Sequence, residues 1–257
     1  MREPYVSGQF YPKSKEELKT LIASFLDPIE TEVKSKAGIA PHAGYLYSGK
    51  TAAYTHSALV DTDTYVIIGP DHTGGAMGRN IAYPSGEWKT PLGSVSINQE
   101  MTDSLKDIVA TDKKAHKYEH SLEVQVPFLQ TIHPHFEIVP IIMGDQSLDS
   151  ARELGEALAE HECAVIASSD FSHYVPHALA QENDEYSIQG ALDLDEEEFI
   201  SRIRERNVTA CGPGPIAASI VFAKAIGCIE GQLLDYSTSG DVTGDQKVVG
   251  YASIVFV

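Results

Sequence analysis

Residues 65–72 read Tyr-Val-Ile-Ile-Gly-Pro-Asp-His, an apolar run that ends in glycine, proline and two polar side chains. A short, continuous apolar run bounded by turn residues predicts a β-strand that is buried on both faces. Residues 164–167, Ala-Val-Ile-Ala, form a second run of this kind and lead into Ser168. Strands of this type occur in parallel sheets that helices cover on both sides, so the two runs predict an α/β fold.

Helical and extended patterns alternate along the rest of the chain. A capping box at Ser14 and Glu17 predicts an amphipathic helix that ends near Leu26. Further strands are predicted at 38–40, 136–143, 233–237 and 248–257, with a β-hairpin or short β-excursion within 79–97. Further helices are predicted at about 50–60, 98–110, 120–132, 148–160, 178–191, 195–206 and 212–226. We therefore expect a single domain over 1–257, with a mainly parallel or mixed central sheet covered by helices.

The composition limits the partners and the compartment. The 257 residues carry a formal net charge of −18, which argues against non-specific binding to nucleic acids or anionic membranes, because both need basic patches. The three cysteines include no Cys-x-x-Cys pair, so we expect reduced thiols and a cytoplasmic protein. Residues 1–8 lack the apolar core of a signal peptide, and no apolar stretch is long enough to span a bilayer.

Three histidines follow predicted strands at the point where each strand ends. His42 follows residues 38–40, His72 follows 65–68 and His173 follows 164–167. The carboxyl ends of parallel strands build the sites of open α/β sheets, so we expect the three imidazoles to lie close together. Imidazole is both a metal ligand and a general base, and Asp170 could accept a hydrogen bond that fixes the His173 tautomer. Taken one at a time, each side chain is equally compatible with a hydrogen bond that only closes a loop.

Cys211 precedes Gly-Pro-Gly-Pro-Ile at the predicted start of a helix. Free N–H groups and the helix dipole at such a position favour a thiolate, so we expect a depressed pKa and a good ligand or nucleophile. Cys163 and Cys228 lie in apolar runs and are interpreted as small core residues. A purely structural role for Cys211 stays open, because the glycine and proline motif is weak.

Two glutamates flank the predicted start of the helix at 120–132. Glu119 and Glu123 are four residues apart and would share one helix face, which fits either a capped helix start or active-site acids. His116 and His120 have the same spacing and could form a metal pair, although no third ligand follows at metalloprotease spacing. His133 and His135 are expected at the surface, in a turn around Pro134.

Six segments, in order along the chain, resemble the hallmark segments of the Memo family. They are Ser7-Gly8-Gln9-Phe10-Tyr11-Pro12, Ala40-Pro41-His42-Ala43-Gly44-Tyr45, Gly69-Pro70-Asp71-His72, Glu119-His120-Ser121-Leu122-Glu123, Ser168-Ser169-Asp170-Phe171-Ser172-His173 and Cys211-Gly212-Pro213-Gly214-Pro215-Ile216. In bacteria and archaea this family is also known as protein B of the AmmeMemoRadiSam system, with a radical-SAM enzyme and an AMMECR-type protein as associated components. The resemblance implies the fold of the catalytic subunit of class III extradiol dioxygenases.

The resemblance also implies a set of site residues. Class III extradiol dioxygenases bind non-haem Fe(II) through two histidines and a glutamate, and the matching positions imply His42 and His72 as metal ligands. Cys211 stands at the place of the third ligand, instead of the carboxylate. His173 matches the acid/base histidine, and Asp170 is implied as its catalytic neighbour in the pocket. Glu119, His120 and Glu123 are expected to line that pocket.

The cysteine at the third position changes the expected chemistry. A thiolate is a softer ligand than a carboxylate and shifts the preference towards copper, zinc or a redox-coupled iron. We therefore expect an iron- or copper-binding protein related to oxidoreductases, without assuming ring cleavage. One alternative is a non-catalytic binding module that uses the same pocket for a peptide or a small ligand. Another is metal-independent chemistry with Cys211 as the nucleophile.

Overall fold

A mixed sheet of 11 strands runs through the protein, which the computed structural model describes over Met1–Val257. The strands are β1 (Ala37–Ala40), β2 (Thr64–Pro70), β3 (Asn80–Ala82), β4 (Glu87–Thr90), β5 (Gly93–Ile97), β6 (Ala110–Thr111), β7 (Glu137–Met143), β8 (Ala164–Ser168), β9 (His173–Pro176), β10 (Gly231–Thr238) and β11 (Lys247–Phe256). The helices are α1 (Lys15–Leu26), α2 (Tyr45–Ala58), α3 (Gln99–Ser104), α4 (Val126–Ile132), α5 (Leu148–Leu158), α6 (His177–Leu192), α7 (Glu196–Glu205), α8 (Pro213–Ala225) and α9 (Gly240–Thr243). Two short 3-10 turns lie at Ala115–Lys117 and Glu123–Gln125.

The centre of the sheet is parallel and its edges are antiparallel. Strands β1, β8, β2 and β7 lie side by side in this order and run in the same direction. Every residue of β1, β2 and β8 is buried, as their continuous apolar runs predict. Antiparallel β11 and β10 extend the edge at β1, and β3 pairs antiparallel with β7 on the other side. The prediction of a single α/β domain with a mixed central sheet is confirmed.

Both faces of the sheet are packed. Along β2, Val66 and Ile68 belong to the core under α5, α7 and α8, whereas Tyr65 and Ile67 belong to the core on the opposite face. This alternation follows from the two-residue period of a strand. Helices α1, α2 and α4 form a third apolar cluster together with Tyr11 from the N-terminal residues. The Ser14 side chain caps α1 by accepting from the Glu17 N–H, as the capping box predicts.

The largest differences from the predicted elements surround residues 98–132. The helix predicted at 98–110 ends at Ser104, and β6 follows it. The helix predicted at 120–132 begins only at Val126, where Pro127 occupies its first turn. Residues 119–125 are therefore mostly turn and 3-10 structure, so their side chains do not share one helix face. The short strand β9, which no apolar run predicts, pairs with β11.

Two short strands from the excursion between β2 and β7 pair with different halves of β7. β3 pairs with the second half of β7, at Ile141–Met143, and β5 pairs with its first half, at Glu137 and Ile138. β4 and β5 form an antiparallel hairpin, as predicted for residues 79–97. No helix of the structure combines the length and the apolar character needed to cross a membrane.

Candidate metal centre

Three imidazoles meet where β1 and β2 end. One ring nitrogen from each of His42, His72 and His120 lies within 4.8 Å of the other two. The His42 and His72 ring centroids are 5.1 Å apart, and those of His72 and His120 are 4.6 Å apart. His42 and His72 follow their strands as the sequence predicts, whereas His120 comes from the irregular segment before α4. Three imidazoles at this spacing form a donor set suited to a transition metal.

Hydrogen bonds fix which nitrogen of His42 faces the cluster. The Ser168 hydroxyl accepts from Gln125 Nε2 (2.8 Å) and donates its single proton to the Ser121 carbonyl oxygen (2.7 Å). The His42 Nδ1, 3.0 Å from the same hydroxyl oxygen, is therefore the donor in that pair. Its Nε2 keeps the lone pair that a metal would need. Burial, followed by the charges of His72 and His120, lowers the pKa of His42 well below its ordinary value and keeps the ring neutral.

Glu119 orients the second imidazole. Its Oε1 lies 2.9 Å from His72 Nδ1, and its Oε2 accepts the His72 backbone N–H at 2.8 Å. Burial alone raises the pKa of Glu119, but the bonds from His72 and Ser121 outweigh it and lower that pKa to about 2. Conversely, burial lowers the pKa of His72, but the bond and charge of Glu119 outweigh this and raise it. A carboxylate on one ring nitrogen leaves the other for the cluster, as is typical of metal-binding histidines.

His120 is the third imidazole of the cluster. Its Nδ1 lies 3.6 Å from Glu119 Oε1, and its ring packs edge-on against Phe10 with centroids 4.9 Å apart. Burial lowers the pKa of His120. His116 does not pair with His120, because its Nε2 contacts the Ile81 carbonyl oxygen in a separate buried cluster.

Cys211 lies next to the three histidines. Its Sγ is 3.2 Å from His42 Nε2 and accepts the Asp170 backbone N–H at 3.2 Å. The predicted depression of its pKa is wrong, because burial, reinforced by the Asp170 charge, raises the pKa of this thiol. The start of α8 explains the difference. Pro213 and Pro215 have no N–H, and the Gly214 N–H donates to Gln146, so the helix offers the sulfur no free donors.

Asp170 and His173 reach the same pocket but do not form the predicted pair. Asp170 Oδ1 accepts the His42 backbone N–H at 2.8 Å, and burial raises the pKa of this carboxyl to about 6. His173 Nδ1 instead lies 2.7 Å from the Phe171 carbonyl oxygen and 2.8 Å from that of Thr209. Carbonyls only accept, so Nδ1 carries the proton and Nε2 keeps its lone pair. The tautomer is thus fixed by two backbone groups, and the orienting role expected for Asp170 is corrected.

A cavity of about 530 Å³ opens over the cluster. The three clustered histidines, Asp170 and His173 line it. Its other walls include the aromatic rings of Phe10, Tyr47, Tyr174 and Tyr251 and the ammonium of Lys247. This volume is typical of a site for a small molecule.

The comparisons with known proteins identify the family. The family model described as Memo-like protein matches residues 2–255. The chain belongs to the Memo family. It is 44% identical over 263 residues to a MEMO1 family protein of Archaeoglobus fulgidus, with 100% of this chain and 99% of that relative covered. A MEMO1 family protein of Nitrosopumilus maritimus is 39% identical over 276 residues, with 100% of both chains covered.

One solved structure shares the architecture of this Memo-family chain. An uncharacterized protein from Escherichia coli K12 superposes with a TM-score of 0.52 at 12% identity, covering 85% of this chain and 99% of that one. At this identity the likeness concerns the fold alone. It is consistent with the dioxygenase-like α/β architecture that the family resemblance implies.

Glu123 does not line the pocket of this Memo-family chain, contrary to expectation. Its Oε2 accepts from Arg2 Nη1 (2.7 Å) and from the Tyr5 N–H (2.8 Å). Its Oε1 accepts from the Val6 N–H (3.0 Å) and from the Tyr11 hydroxyl (2.7 Å). Glu123 therefore anchors residues 2–11, and this segment in turn carries Phe10 into the pocket wall. Glu119 and Cys211 lie behind the imidazoles rather than in the cavity lining.

Several contributors gave little or no sequence signal. Outside the site, His133, expected at the surface, is buried, because its ring packs on Tyr65 with centroids 4.9 Å apart. Ser168 and Thr209 act through hydrogen bonds that no motif announces. Gln125 bridges the Pro41 carbonyl oxygen (3.0 Å) and Ser168, which ties the end of β1 to the end of β8.

Proposed function

We propose that this Memo-family protein binds an iron or copper ion and uses it for oxidoreductase chemistry. The observation that carries the proposal is the convergence of three imidazoles. In two of them, His42 and His72, the Nδ1 atom that faces away from the cluster is held by Ser168 and by Glu119, respectively. His42, His72 and His120 would hold the ion, with the Cys211 thiol beside His42 as a further soft donor. A bound iron or copper ion supplies one-electron redox chemistry and Lewis acidity.

The donor set fits such an ion on structural grounds. The neutral His42 ring has its lone pair on Nε2, and His72 is held by a buried carboxylate, an arrangement that raises the basicity of a ligating imidazole. The thiol and the imidazoles are borderline to soft donors, which suits copper, zinc or iron better than magnesium or calcium.

The protein's own groups would handle the bound ligand and its protons. His173 presents the Nε2 lone pair to the pocket and can take a proton from a ligand there. Phe10, Tyr47 and Tyr174 wall the cavity and offer aromatic surface to a bound molecule.

Metal analysis of anaerobically purified protein tests the proposal. We expect about one iron or copper ion per chain by elemental analysis, lost in the His42→Ala/His72→Ala double variant. His120→Ala and Cys211→Ser, measured side by side, identify the third ligand, because the true ligand variant loses the larger part of the affinity. A wild-type protein that is metal-free and cannot be reconstituted with either metal would overturn the proposal.

A second candidate is a binding module without redox turnover, favoured by the aromatic walls of the cavity. It predicts that affinity for a pocket ligand survives Cys211→Ser.

We also propose that the protein associates with the other AmmeMemoRadiSam components, on the basis of family membership. A cytoplasmic location is proposed from the composition, since the three cysteines are free. Co-purification with the radical-SAM enzyme and the AMMECR-type protein tests the first of these.

A further inference from the structure

A second cleft, of about 470 Å³, shares no lining residue with the histidine pocket. It lies between residues 1–5 and the segment 113–118. Its lining includes the side chains of Lys113, Lys114 and Lys117 and the rings of Tyr5, Tyr83 and Tyr118. On a chain with a net charge of −18, these three lysines form a local basic patch.

The three ammonium groups of the cleft have no carboxylate partner among the ion pairs of the protein. Lys113 Nζ lies 5.5 Å from the Tyr83 ring centroid, and Lys117 Nζ lies 4.8 Å from that of Tyr118. Glu3, which also lines the cleft, is neutralised by Lys89 at 2.9 Å. Three like charges without a counterion repel one another, so an anion placed between them would be attracted by all three.

The aromatic part of the cleft is formed before any ligand enters. Tyr5 and Tyr118 pack edge-to-face with centroids 5.2 Å apart, and they stay 48% and 50% exposed. The wall behind them is fixed, because Arg2 donates to Glu123 and to the carbonyl oxygens of His116 and Glu119. The Arg2 guanidinium also stacks 4.2 Å from the Trp88 ring centroid. Flat rings beside unpaired cations form a surface for a ligand that is both planar and anionic.

We propose that this cleft binds a nucleoside di- or triphosphate. The polyphosphate would contact Lys113, Lys114 and Lys117, because clustered ammonium groups form charge-assisted hydrogen bonds to phosphate oxygens. The base would stack on the half-exposed Tyr118 ring, with the Tyr5 ring inclined at 65° beside it, as bases do on aromatic side chains. The cleft volume lies in the range of small-molecule sites. This site is separate from the histidine cluster and does not depend on the metal-binding proposal.

Titration of the full-length protein with ATP, adenosine and tripolyphosphate tests the site by calorimetry. The only tryptophan, Trp88, lies against Arg2 in the wall and provides a fluorescence readout of the same titration. We expect ATP to bind more tightly than either adenosine or tripolyphosphate, since only ATP uses both halves of the cleft. Tripolyphosphate that matches ATP would overturn the proposal, because the site would then recognise a bare anion.

Charge-matched variants separate the cleft from the general surface. The Lys113→Gln/Lys114→Gln/Lys117→Gln variant is expected to bind ATP about tenfold more weakly or worse. The control variant Lys13→Gln/Lys15→Gln/Lys19→Gln makes the same change in net charge at exposed lysines away from the cleft. We expect it to change ATP affinity by less than about twofold. Equal losses in the two triple variants would overturn the proposal.

Two further measurements exclude other occupants. Tyr118→Leu keeps all three lysines and should weaken ATP binding several-fold while leaving tripolyphosphate binding unchanged. ATP affinity should persist in the His42→Ala/His72→Ala variant. Loss of affinity in this variant would show that ATP binds through a metal ion at the histidine cluster instead of in the cleft. Displacement of ATP by an equal concentration of penta-glutamate would identify an acidic peptide as the occupant and overturn the nucleotide assignment. Circular dichroism of each variant confirms that it is folded.

Discussion

Glu119 and Glu123 lie four residues apart, and both are buried, yet they serve two different regions of the molecule. Glu119 holds a histidine of the candidate metal centre, whereas Glu123 accepts four hydrogen bonds from residues 2–11. The metal centre leaves imidazole lone pairs facing a cavity, while both oxygens of Glu123 are occupied by hydrogen bonds from the N-terminal segment. Both carboxylates are fully hydrogen-bonded, so the difference lies in what each one holds: Glu119 positions an imidazole that keeps a free lone pair, and Glu123 holds backbone and side-chain donors that have no further role.

The largest expected effect concerns the N-terminal anchor. Glu123→Ala leaves the buried Arg2 guanidinium without its carboxylate, and breaking a buried ion pair in this way costs about 3–5 kcal/mol. Urea denaturation followed by circular dichroism measures the loss. The milder Glu123→Gln should keep the metal stoichiometry of the wild type in whatever fraction stays folded. Loss of metal from folded Glu123→Gln would break the distinction between anchor and site.

A pH dependence is expected from His56, which shares Gln125 with the site. His56 Nε2 lies 2.8 Å from Gln125 Oε1, and burial lowers the pKa of His56 from 6.5 to about 4. Between these values the unfolded chain binds a proton that the native chain does not. The contribution of neutral His56 to the free energy of unfolding is therefore fully present above pH 6.5. It is lost as the pH falls towards 4, by up to about 3 kcal/mol.

Unfolding free energies measured across that range check this slope. His56→Gln should flatten the dependence, whereas His135→Gln, at an exposed histidine, should leave it unchanged. Equal slopes in the wild type and in His56→Gln would contradict the assignment.

The effect at Glu119 should fall on metal affinity. Glu119→Gln keeps the shape of the side chain but removes the charge that orients His72, and changes of this kind weaken metal binding by about 10–100-fold. Competition with a chromophoric chelator measures the affinity. Glu123→Gln serves as the matched control, since it makes the same chemical change four residues away. Equal losses of metal affinity in the two variants would contradict the assignment of Glu119 to the metal centre and of Glu123 to the N-terminal anchor.

The smallest expected effect is at Thr209. Its Oγ1 accepts the His173 backbone N–H at 2.7 Å, so Thr209→Val removes one hydrogen bond, with a net cost of about 1 kcal/mol. Because the Thr209 carbonyl remains, the His173 tautomer should persist. Nitrogen-15 chemical shifts of the imidazole report the tautomer directly, and Thr209→Ser should restore the stability. A tautomer change in Thr209→Val would show that the side chain, not the carbonyl, holds the ring.

The central strands were predictable because burial on both faces demands continuous apolar residues. The residues at 65–68 and 164–167 gave β2 and β8 nearly to their ends, and with them the position of His72. The edge elements had no such constraint. β9 contains Tyr174 in the left-handed region (φ 58°) and is only half-buried, so its composition resembles that of a loop.

The sequence predicted which residues belong to the site better than it predicted which of them contact one another. His42 and His72 meet because parallel strands end at one edge, a property of the fold class. The place of His120 depends on residues 119–125 not being helical, and a four-residue spacing suggests the opposite. The raised pKa of Cys211 depends on prolines that remove helix N–H groups and on burial that only the packed chain produces. Hydrogen bonds between distant segments, such as those of Ser168, leave no local pattern in the sequence.

The attachment of residues 2–11 through Glu123 has a dynamic consequence. This segment contributes a pocket wall at Phe10, and it is held in place by its bonds to Glu123 and by the buried side chains of Val6 and Tyr11. Detachment would widen the entrance above His120 and release the Tyr5 and Val6 amides that donate to Glu123. Exchange of these two amide protons with solvent therefore measures how often this pocket wall detaches, and their bonds to a buried carboxylate are expected to make that exchange slow.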